Sequence, residues 1–206
     1  MSDVRTAGET WSFHRSQKSD ARLDVILKAA AKCFNEKGIS GTSLKDVARR
    51  LGLTDAALYH YVRNKDDLVF RCYLKALDIG EDALDRSMAS DMSSLGQLKL
   101  YIRYQIEAVC GDGGPVAVLS ETAALKPDHR KVISARSRRH TDRIVALLEA
   151  GNIDESMLTR TPSLSANAIL GAINWVPKWY KPTGSLGGPE IADAYALTLT
   201  EGLRTR

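Results

Sequence analysis

Long apolar runs are absent from this sequence, and so are the common motifs of enzymes. No stretch of about 18 apolar residues occurs, so no membrane-spanning helix is predicted. The segment Met1–Arg15 lacks the apolar core of a secretory signal, so we expect a cytoplasmic protein. There is no Gly-x-Ser-x-Gly elbow, His-Glu-x-x-His pair, P-loop or dinucleotide fingerprint. No pattern pairs a nucleophile with a base, so we predict no catalytic residue and no enzyme.

Cysteine is scarce, with three residues, Cys33, Cys72 and Cys110, placed far apart in the chain. Each lies among apolar neighbours in a helical pattern, which predicts buried thiols in a reducing cytoplasm. A redox sensor is the less favoured alternative, because no basic neighbour obviously lowers a thiol pKa. His129 and His140 have no cysteine or carboxylate at the spacing of metal ligands, so neither a metal site nor another cofactor is predicted.

The composition is that of an ordinary globular protein with a mild excess of positive charge. Of the 206 residues 44% are hydrophobic and 26% charged, with a net charge of +4 and a pI of about 9.0. This basicity is compatible with nucleic acid but does not require it. More informative is that many basic residues flank one segment, Thr42–Lys65. They are Arg15, Lys18, Arg22, Lys45, Arg49, Arg50, Arg63 and Lys65.

The segment Thr42–Lys65, TSLKDVARRLGLTDAALYHYVRNK, predicts a helix-turn-helix. Ser43 can cap a helix over Leu44–Leu51, because an acid stands three residues later in the pattern of a capping box. Thr54 can cap a second, shorter helix over Asp55–Tyr61. Two capped helices this close together indicate a tight corner, which a DNA-binding protein and an ordinary all-α protein can both contain.

Three positions favour the DNA-binding interpretation of this corner. Ala48 is small enough for the helices to approach, Gly52 allows the turn, and Leu58 points back at the first helix. The outward side chains of the second helix are small or able to hydrogen-bond, as a helix in the major groove requires. Base contacts are predicted for Thr54, Ala56, Ala57, Tyr59 and His60. Contacts to the DNA backbone are predicted for Thr42, Tyr61 and Lys65, and Ser43 belongs to the same DNA-binding set.

This region resembles the TetR/AcrR family of transcriptional regulators over most of the first third of the chain. The matching segments are ILKAA at 26–30, FNEKG at 34–38, GTSLKDVA at 41–48, GLTDAALYHY at 52–61 and NKDDL at 64–68. One departure is the acid Asp55, where many members carry a neutral or basic residue, which argues against a phosphate contact there. The resemblance implies an all-α fold, with a three-helix DNA-binding bundle followed by a helical domain for ligand binding and dimerisation.

The helical patterns divide the chain into three parts. We expect a flexible arm over 1–19, a DNA-binding domain over 20–64 and a ligand-binding and dimerisation domain over 65–206. Arg15 and Lys18 of the arm are placed to reach the DNA backbone, and plain disorder is the alternative, favoured for Met1–Thr10. Helices are predicted over 20–37, 44–51, 55–61, 65–90, 95–110, 116–125, 127–150, 163–179 and 189–203.

The last two predicted helices carry a second resemblance. Small residues keep the helix over 163–179 slim, which suits packing against a symmetry mate, and the family resemblance implies that the last two helices form a four-helix dimer interface. Residues 174–182, NWVPKWYKP, resemble a subgroup linked to fatty-acid and steroid breakdown, several members of which respond to acyl-CoA thioesters.

Candidate ligand-binding residues lie in the same C-terminal domain. They are Tyr101, Tyr104, Gln105, Trp175 and Trp179, although aromatic residues at helical spacing more often belong to a core. The helix over 127–150 has a basic face, which predicts either solvent exposure or a landing site for the phosphates of a ligand. That face holds Arg130, Lys131, Arg136, Arg138, Arg139 and Arg143.

These patterns favour one function over two others. The leading hypothesis is a ligand-responsive homodimeric repressor that binds a palindromic operator in double-stranded DNA and is released by a small hydrophobic or acyl-CoA-type effector. The alternative is a DNA-binding activator or scaffold without a small-molecule ligand. An enzyme is disfavoured because the required groups are missing.

Overall fold

The computed structural model describes the backbone of residues 6–111 and 124–203, with side chains from Asp20 onward. Over these residues the fold is all-α, as predicted, with no strand. The helices are α1 (Thr6–Lys37), α2 (Leu44–Arg50), α3 (Asp55–Tyr59), α4 (Lys65–Met88), α5 (Ser94–Cys110), α6 (Pro127–Ile153), α7 (Pro162–Trp179) and α8 (Gly188–Glu201). Within these ranges, no helix combines the length and apolarity needed to cross a bilayer.

Most helix boundaries agree with the predicted ones to within two residues, and two differ. Helix α1 begins at Thr6 and not at Asp20, so the stretch expected to be a flexible arm is helical from Thr6 onward. The side chains of Arg15 and Lys18 lie outside the described residues, as does nearly all of the helix predicted over 116–125. Helix α6 continues through Gly151 to Ile153, so this glycine does not end the helix. Gly151 instead allows Met157 to pack closely against the helix backbone.

Two hydrophobic cores organise the chain, and α4 belongs to both. The first core joins α1, α2 and α3 to the N-terminal half of α4, including Leu68 and Tyr73, and is completed by Leu125 and Ile133 from the C-terminal region. The second core joins the C-terminal half of α4, including Leu84, to α5, α6, α7 and α8. Because one continuous helix is buried in both cores, a displacement of α4 in one core also moves its side chains in the other.

Ion pairs hold the basic helix α6 against α4. The guanidinium of Arg136 donates to both carboxylate oxygens of Glu81, at 2.9 and 2.6 Å, and to Asp78 at 2.6 Å. Arg143 donates to Asp85 at 2.6 Å. The basic face is therefore partly solvated, as predicted, but two of its arginines connect helices. Neither of these two arginines is a landing site for phosphate in this arrangement.

Candidate nucleic-acid interface and interhelical cavity

Local hydrogen bonds fix the start of each helix in the helix-turn-helix, as the sequence predicted. The Ser43 hydroxyl accepts from the Asp46 N–H at 3.2 Å, and the Asp46 carboxylate accepts from the Ser43 N–H at 2.9 Å. The hydrogen bonds from Ser43 lower the pKa of Asp46 to about 2. Gly52 adopts φ +64°, which a residue with a side chain rarely does. The Thr54 hydroxyl then accepts from the Ala57 N–H at 3.2 Å, capping α3.

These caps orient α3 so that one face is buried and the other exposed. Leu58 is buried against Val47 and Ala48 of the first core, as predicted for the wedge residue. Of the predicted base contacts, Thr54, Ala56, Tyr59 and His60 are exposed and Ala57 is half-buried. Tyr59 is 57% exposed, a large value for an aromatic side chain. Helix α3 ends at Tyr59, so His60 is its C-cap and not an interior residue.

Asp55, the departure from the family pattern, is also exposed and stands in the first turn of α3. The unpaired N–H groups at a helix start favour an acid there, which gives this residue a structural reason to be present.

The predicted backbone contacts occupy three different environments. Thr42 is 2% exposed, and its hydroxyl donates to the carbonyl oxygens of Gly38 at 2.8 Å and Cys33 at 3.1 Å. This hydroxyl ties the corner to the end of α1, so its side chain has a structural role apart from the predicted DNA contact. The half-buried Tyr61 accepts from Arg22 at 3.3 Å, and Lys65 donates to the Ser40 carbonyl at 3.3 Å.

Two acids near the helix-turn-helix, Glu36 and Asp67, are paired with arginines, whereas Asp55 is exposed on α3. Glu36 accepts both guanidinium branches of Arg50 at 2.7 Å, and these hydrogen bonds lower the pKa of Glu36. Asp67 is buried, accepts hydrogen bonds from Arg63 and forms an ion pair with Arg71 at 3.3 Å. These pairs neutralise two acids that lie close to the helix-turn-helix.

Lys45 and Arg49 of α2 are exposed, and Arg49 lies 3.8 Å from the Asp46 carboxylate. The sequence identified them only as flanking charges, because their position relative to α3 depends on how the two helices pack. Their exposure makes them further candidates for phosphate contacts.

A cavity of about 340 Å³ lies between α4, α5, α6 and α7, within the C-terminal region. We refer to it as the interhelical cavity, and its lining residues are Ala76, Leu77, Gly80, Gln105, Ile133, Ser137, His140, Thr141, Asn167, Leu170, Gly171 and Asn174. Of the predicted ligand-binding residues, Gln105 lines it directly. Its walls are mixed, with aliphatic side chains beside amides, hydroxyls and one imidazole. Such a surface suits a small ligand with an apolar part and a few polar atoms.

A buried polar group of three residues forms one wall of this cavity. The Tyr101 hydroxyl lies 3.0 Å from Nε2 of His140, and Nε2 of Gln105 donates to the same hydroxyl at 3.5 Å. Burial raises the pKa of Tyr101 and lowers that of His140, so both are neutral near pH 7. Nδ1 of His140 is buried and has no hydrogen-bond partner among the residues that the structure describes. A buried nitrogen without a partner costs about 1–3 kcal/mol.

The other predicted ligand-binding residues lie elsewhere. Tyr101 is fully buried behind the cavity wall and contributes through its hydroxyl. Tyr104 faces Arg86, whose guanidinium carbon lies 4.2 Å from the ring centroid, and it does not line the cavity. Trp175 is 63% exposed on α7, and Trp179 stacks with Tyr195 at a centroid distance of 6.4 Å. None of these three residues lines the interhelical cavity. The spacing of aromatic residues on one helix does not show which neighbouring helix packs against their rings.

Sequence reasoning missed His140 as a cavity residue. The sequence pattern disfavours this histidine as a metal ligand and predicts no functional role for it. The structure shows a side chain that is packed and also borders the cavity. The available signal was an ionisable ring among Ile133, Ile144 and Leu147, where a polar atom needs a specific partner.

Comparisons with known proteins agree with this arrangement. A family model described as "Bacterial regulatory proteins, tetR family" matches residues 26–72, and one described as "Tetracyclin repressor-like, C-terminal domain" matches residues 91–203. The chain is 27% identical over 191 residues to the HTH-type transcriptional repressor KstR2 of Rhodococcus jostii, covering 91% of this chain and 93% of that protein.

Two solved structures show the same architecture. The TetR family transcriptional regulator PfmR of Thermus thermophilus superposes with a TM-score of 0.74 at 29% identity, covering 87% of this chain and 99% of that one. A structure of AibR in complex with isovaleryl coenzyme A and operator DNA superposes with a TM-score of 0.73 at 28% identity, covering 86% of this chain and 97% of that one.

Proposed function

Because the chain belongs to the TetR family of bacterial regulatory proteins, we propose that it is a homodimeric transcriptional repressor that a small effector releases from a palindromic operator. The observation that carries the proposal is the exposed, capped face of α3, with Thr54, Ala56, Tyr59 and His60 directed to solvent. Small and hydrogen-bonding side chains permit close approach to base edges in the major groove. A protein that acts on an operator works in the cytoplasm.

An exposed apolar stripe on α7 supports the homodimer. Leu164, Ala168, Gly171 and Trp175 recur at the spacing of one helical face, and all four are exposed in the single chain. Leu164 is 67% and Trp175 63% exposed, and Leu197 of α8 is exposed as well. Leu164 and Trp175 are large apolar side chains on this exposed face, which a partner helix would cover. A second copy of the chain covering this stripe gives two-fold symmetry, which places two α3 helices about 34–36 Å apart in successive major grooves.

The interhelical cavity supports a small-molecule effector. Its volume of about 340 Å³ accommodates a short acyl group, and the amide of Gln105 and the hydroxyls of Ser137 and Thr141 offer hydrogen bonds to a carbonyl or hydroxyl. An acyl-CoA thioester is the proposed effector class. AibR, a structural neighbour, has been solved with isovaleryl coenzyme A and operator DNA, which supports an effector of this class.

Helix α4 provides the physical connection between effector and DNA. Ala76, Leu77 and Gly80 line the cavity, whereas Lys65 begins the same helix beside the helix-turn-helix. Arginine pairs from α6 hold the middle of α4, so a ligand that separates these helices shifts α4 as a body. A coupling free energy of about 1–3 kcal/mol weakens operator binding about 5- to 150-fold.

The proposal is tested by selecting an operator from random DNA with the purified protein, then measuring its affinity by fluorescence anisotropy with and without isovaleryl coenzyme A. We expect Tyr59→Ala to reduce discrimination between operator and random DNA. Lys65→Ala should weaken binding to both alike and lower the salt slope by about 1, because it removes a phosphate contact.

Two results would contradict parts of the proposal separately. If both variants bind the operator like the wild type, the DNA interface lies elsewhere. If the wild type binds the operator but acyl-CoA thioesters and other small apolar molecules leave its affinity unchanged, the protein is a DNA-binding activator or scaffold without an effector.

A further inference from the structure

A second groove, distinct from the interhelical cavity, lies where α1 meets the C-terminal ends of α5 and α7. Its volume is about 460 Å³, and we call it the lysine groove. Lys32 lines it from α1, and Lys178 and Lys181 line it from the end of α7 and the residues that follow. The groove therefore touches both the DNA-binding unit and the C-terminal region.

The charges of the lysine groove favour an anion. Among the described residues that line it, three are lysines, whereas the acid Glu36 is held by both guanidinium branches of Arg50 at 2.7 Å. A carboxylate already satisfied by arginine contributes little repulsion toward a second anion. Lysines arranged around a concave surface attract phosphate groups as point charges.

Aromatic rings stand beside these charges. Trp179 and Tyr180 line the groove, and Trp179 remains 40% exposed although it stacks with Tyr195. Helix α7 ends at Trp179, and Tyr180 takes extended dihedrals, which direct the following lysine and Pro182 along the groove. Rings next to cations are the combination that binds a planar base together with its phosphates.

The groove shows no sign of covalent chemistry. Cys110 lines it, but burial raises the pKa of this thiol to about 11, so it is protonated near pH 7 and a weak nucleophile. Among the residues that the structure describes, no group of histidines, cysteines and acids is arranged to hold a metal ion. Reversible binding of an organic anion is what remains.

The lysine groove continues the interhelical cavity along the seam between α5 and α7. Gln105 lines the cavity and Val109, one turn further along α5, lines the groove. On α7, Asn174 and Lys178 are related in the same way. One helical turn advances about 5.4 Å, so a single extended ligand can occupy both sites.

From this arrangement we propose that the lysine groove binds a phosphorylated adenine nucleotide, with its base on the Trp179–Tyr180 wall and its phosphates at Lys32, Lys178 and Lys181. This rests on the proposed function, because the nucleotide of a coenzyme A thioester would lie in the groove while its acyl group enters the interhelical cavity. A free adenine nucleotide has the same chemistry and is the other source. In either case the ligand contacts α1 directly and so biases the position of the DNA-binding unit.

The test is calorimetric titration of the full chain with coenzyme A, adenosine 3′,5′-bisphosphate and pantetheine. We expect the first two to bind the wild type, and the double variant Lys178→Ala/Lys181→Ala to bind both about 10-fold more weakly, because charge-assisted contacts are lost. The matched control removes two exposed cations of α6 that line neither site, Lys131→Ala/Arg138→Ala, and should retain wild-type affinity. If coenzyme A binds much more tightly than the bisphosphate, the ligand of the groove is a coenzyme A compound. If the two affinities are equal, the ligand is a free nucleotide.

Three results would overturn the inference. The first is that neither coenzyme A nor the bisphosphate binds the wild type, and the second is that the double variant binds them unchanged. The third is weaker operator binding by the double variant without any nucleotide, which would assign these lysines to DNA. Operator binding and release by isovaleryl coenzyme A that persist in the double variant would leave the proposed function standing while the groove assignment fails. Nucleotide binding by a protein that selects no operator would show the reverse.

Discussion

Replacing Gly80 by alanine tests the interhelical cavity without disturbing the rest of the chain. A Cβ built at Gly80 would lie 2.7 Å from Nε2 of Gln105 and 3.4 Å from Nε2 of His140. The first of these atoms is the end of a flexible side chain and can move, but it then abandons its contact with the Tyr101 hydroxyl. The new methyl group therefore breaks the buried polar group and occupies cavity volume.

The effect on stability should be small because two terms oppose each other. Alanine in a helix interior favours folding by about 0.5–1 kcal/mol over glycine. Losing one neutral hydrogen bond costs about 0.5–1.5 kcal/mol, which is similar in size. Overpacking at a ligand, by contrast, costs about 1–3 kcal/mol, or a 5- to 150-fold loss of effector affinity. We expect Gly80→Ala to keep its Tm within a few degrees and its operator affinity, while its response to effector is lost.

The assay combines thermal unfolding followed by circular dichroism, operator anisotropy and an effector titration with isovaleryl coenzyme A. Gly202→Ala is the control, because a Cβ there meets no atom within 4 Å. A Gly80→Ala protein that retains wild-type effector response would refute the assignment of the cavity. A large fall in Tm would refute the cancellation on which the magnitude rests.

Three further predictions concern stability and assembly. Burial lowers the folded-state pKa of His140, so the unfolded chain binds the proton first as pH falls. Stability is therefore lost as pH falls below the unfolded pKa of about 6.5, by at most about 1.4 kcal/mol per pH unit. Urea unfolding at pH 7.5 and 5.5 should show a smaller loss of unfolding free energy in His140→Gln, and an equal loss would mean that other groups dominate. Thr54→Ala removes the α3 cap and should cost about 1 kcal/mol of unfolding free energy, whereas Thr54→Asn, which can cap equally well, should cost little; equal unfolding midpoints for the two variants would speak against the cap. Trp175→Glu places a charge in the exposed α7 stripe and should convert the proposed dimer to a monomer in light scattering after size exclusion, a result that an unchanged dimer would contradict.

The helix-turn-helix could be predicted from the sequence because its determinants are local. The Ser43 capping box, the positive φ of Gly52 and the Thr54 cap each depend on residues within four positions, so the linear pattern contains them. The wedge of Leu58 against Ala48 followed from the same short segment. The burial of Thr42 could not be predicted from this segment, because its partners Cys33 and Gly38 belong to the preceding helix and its cap.

The cavity could not be predicted in the same way because its walls come from four helices. Of the predicted ligand-binding residues, Gln105 lines the cavity. Tyr104 and Trp175 were predicted from aromatic side chains at helical spacing, and they face other surroundings. The rotation of each helix about its axis is set by packing with distant segments, which one helical pattern cannot specify. His140 shows the difference, since its role depends on Tyr101, which lies 39 positions away in the chain.

The sharing of α4 between two cores bears on how regulators of this kind can be recombined. A cut between residues 64 and 65 would separate the three small helices from Leu68 and Tyr73 of α4, and from Leu125 and Ile133 beyond it. A graft that moves residues 20–64 alone onto a foreign sensor leaves these apolar contacts to be satisfied by an unrelated surface. Chimeras intended to exchange operator specificity should therefore transplant the α3 surface residues onto an intact host, or carry the matching faces of α4 and α6 along with the grafted helices.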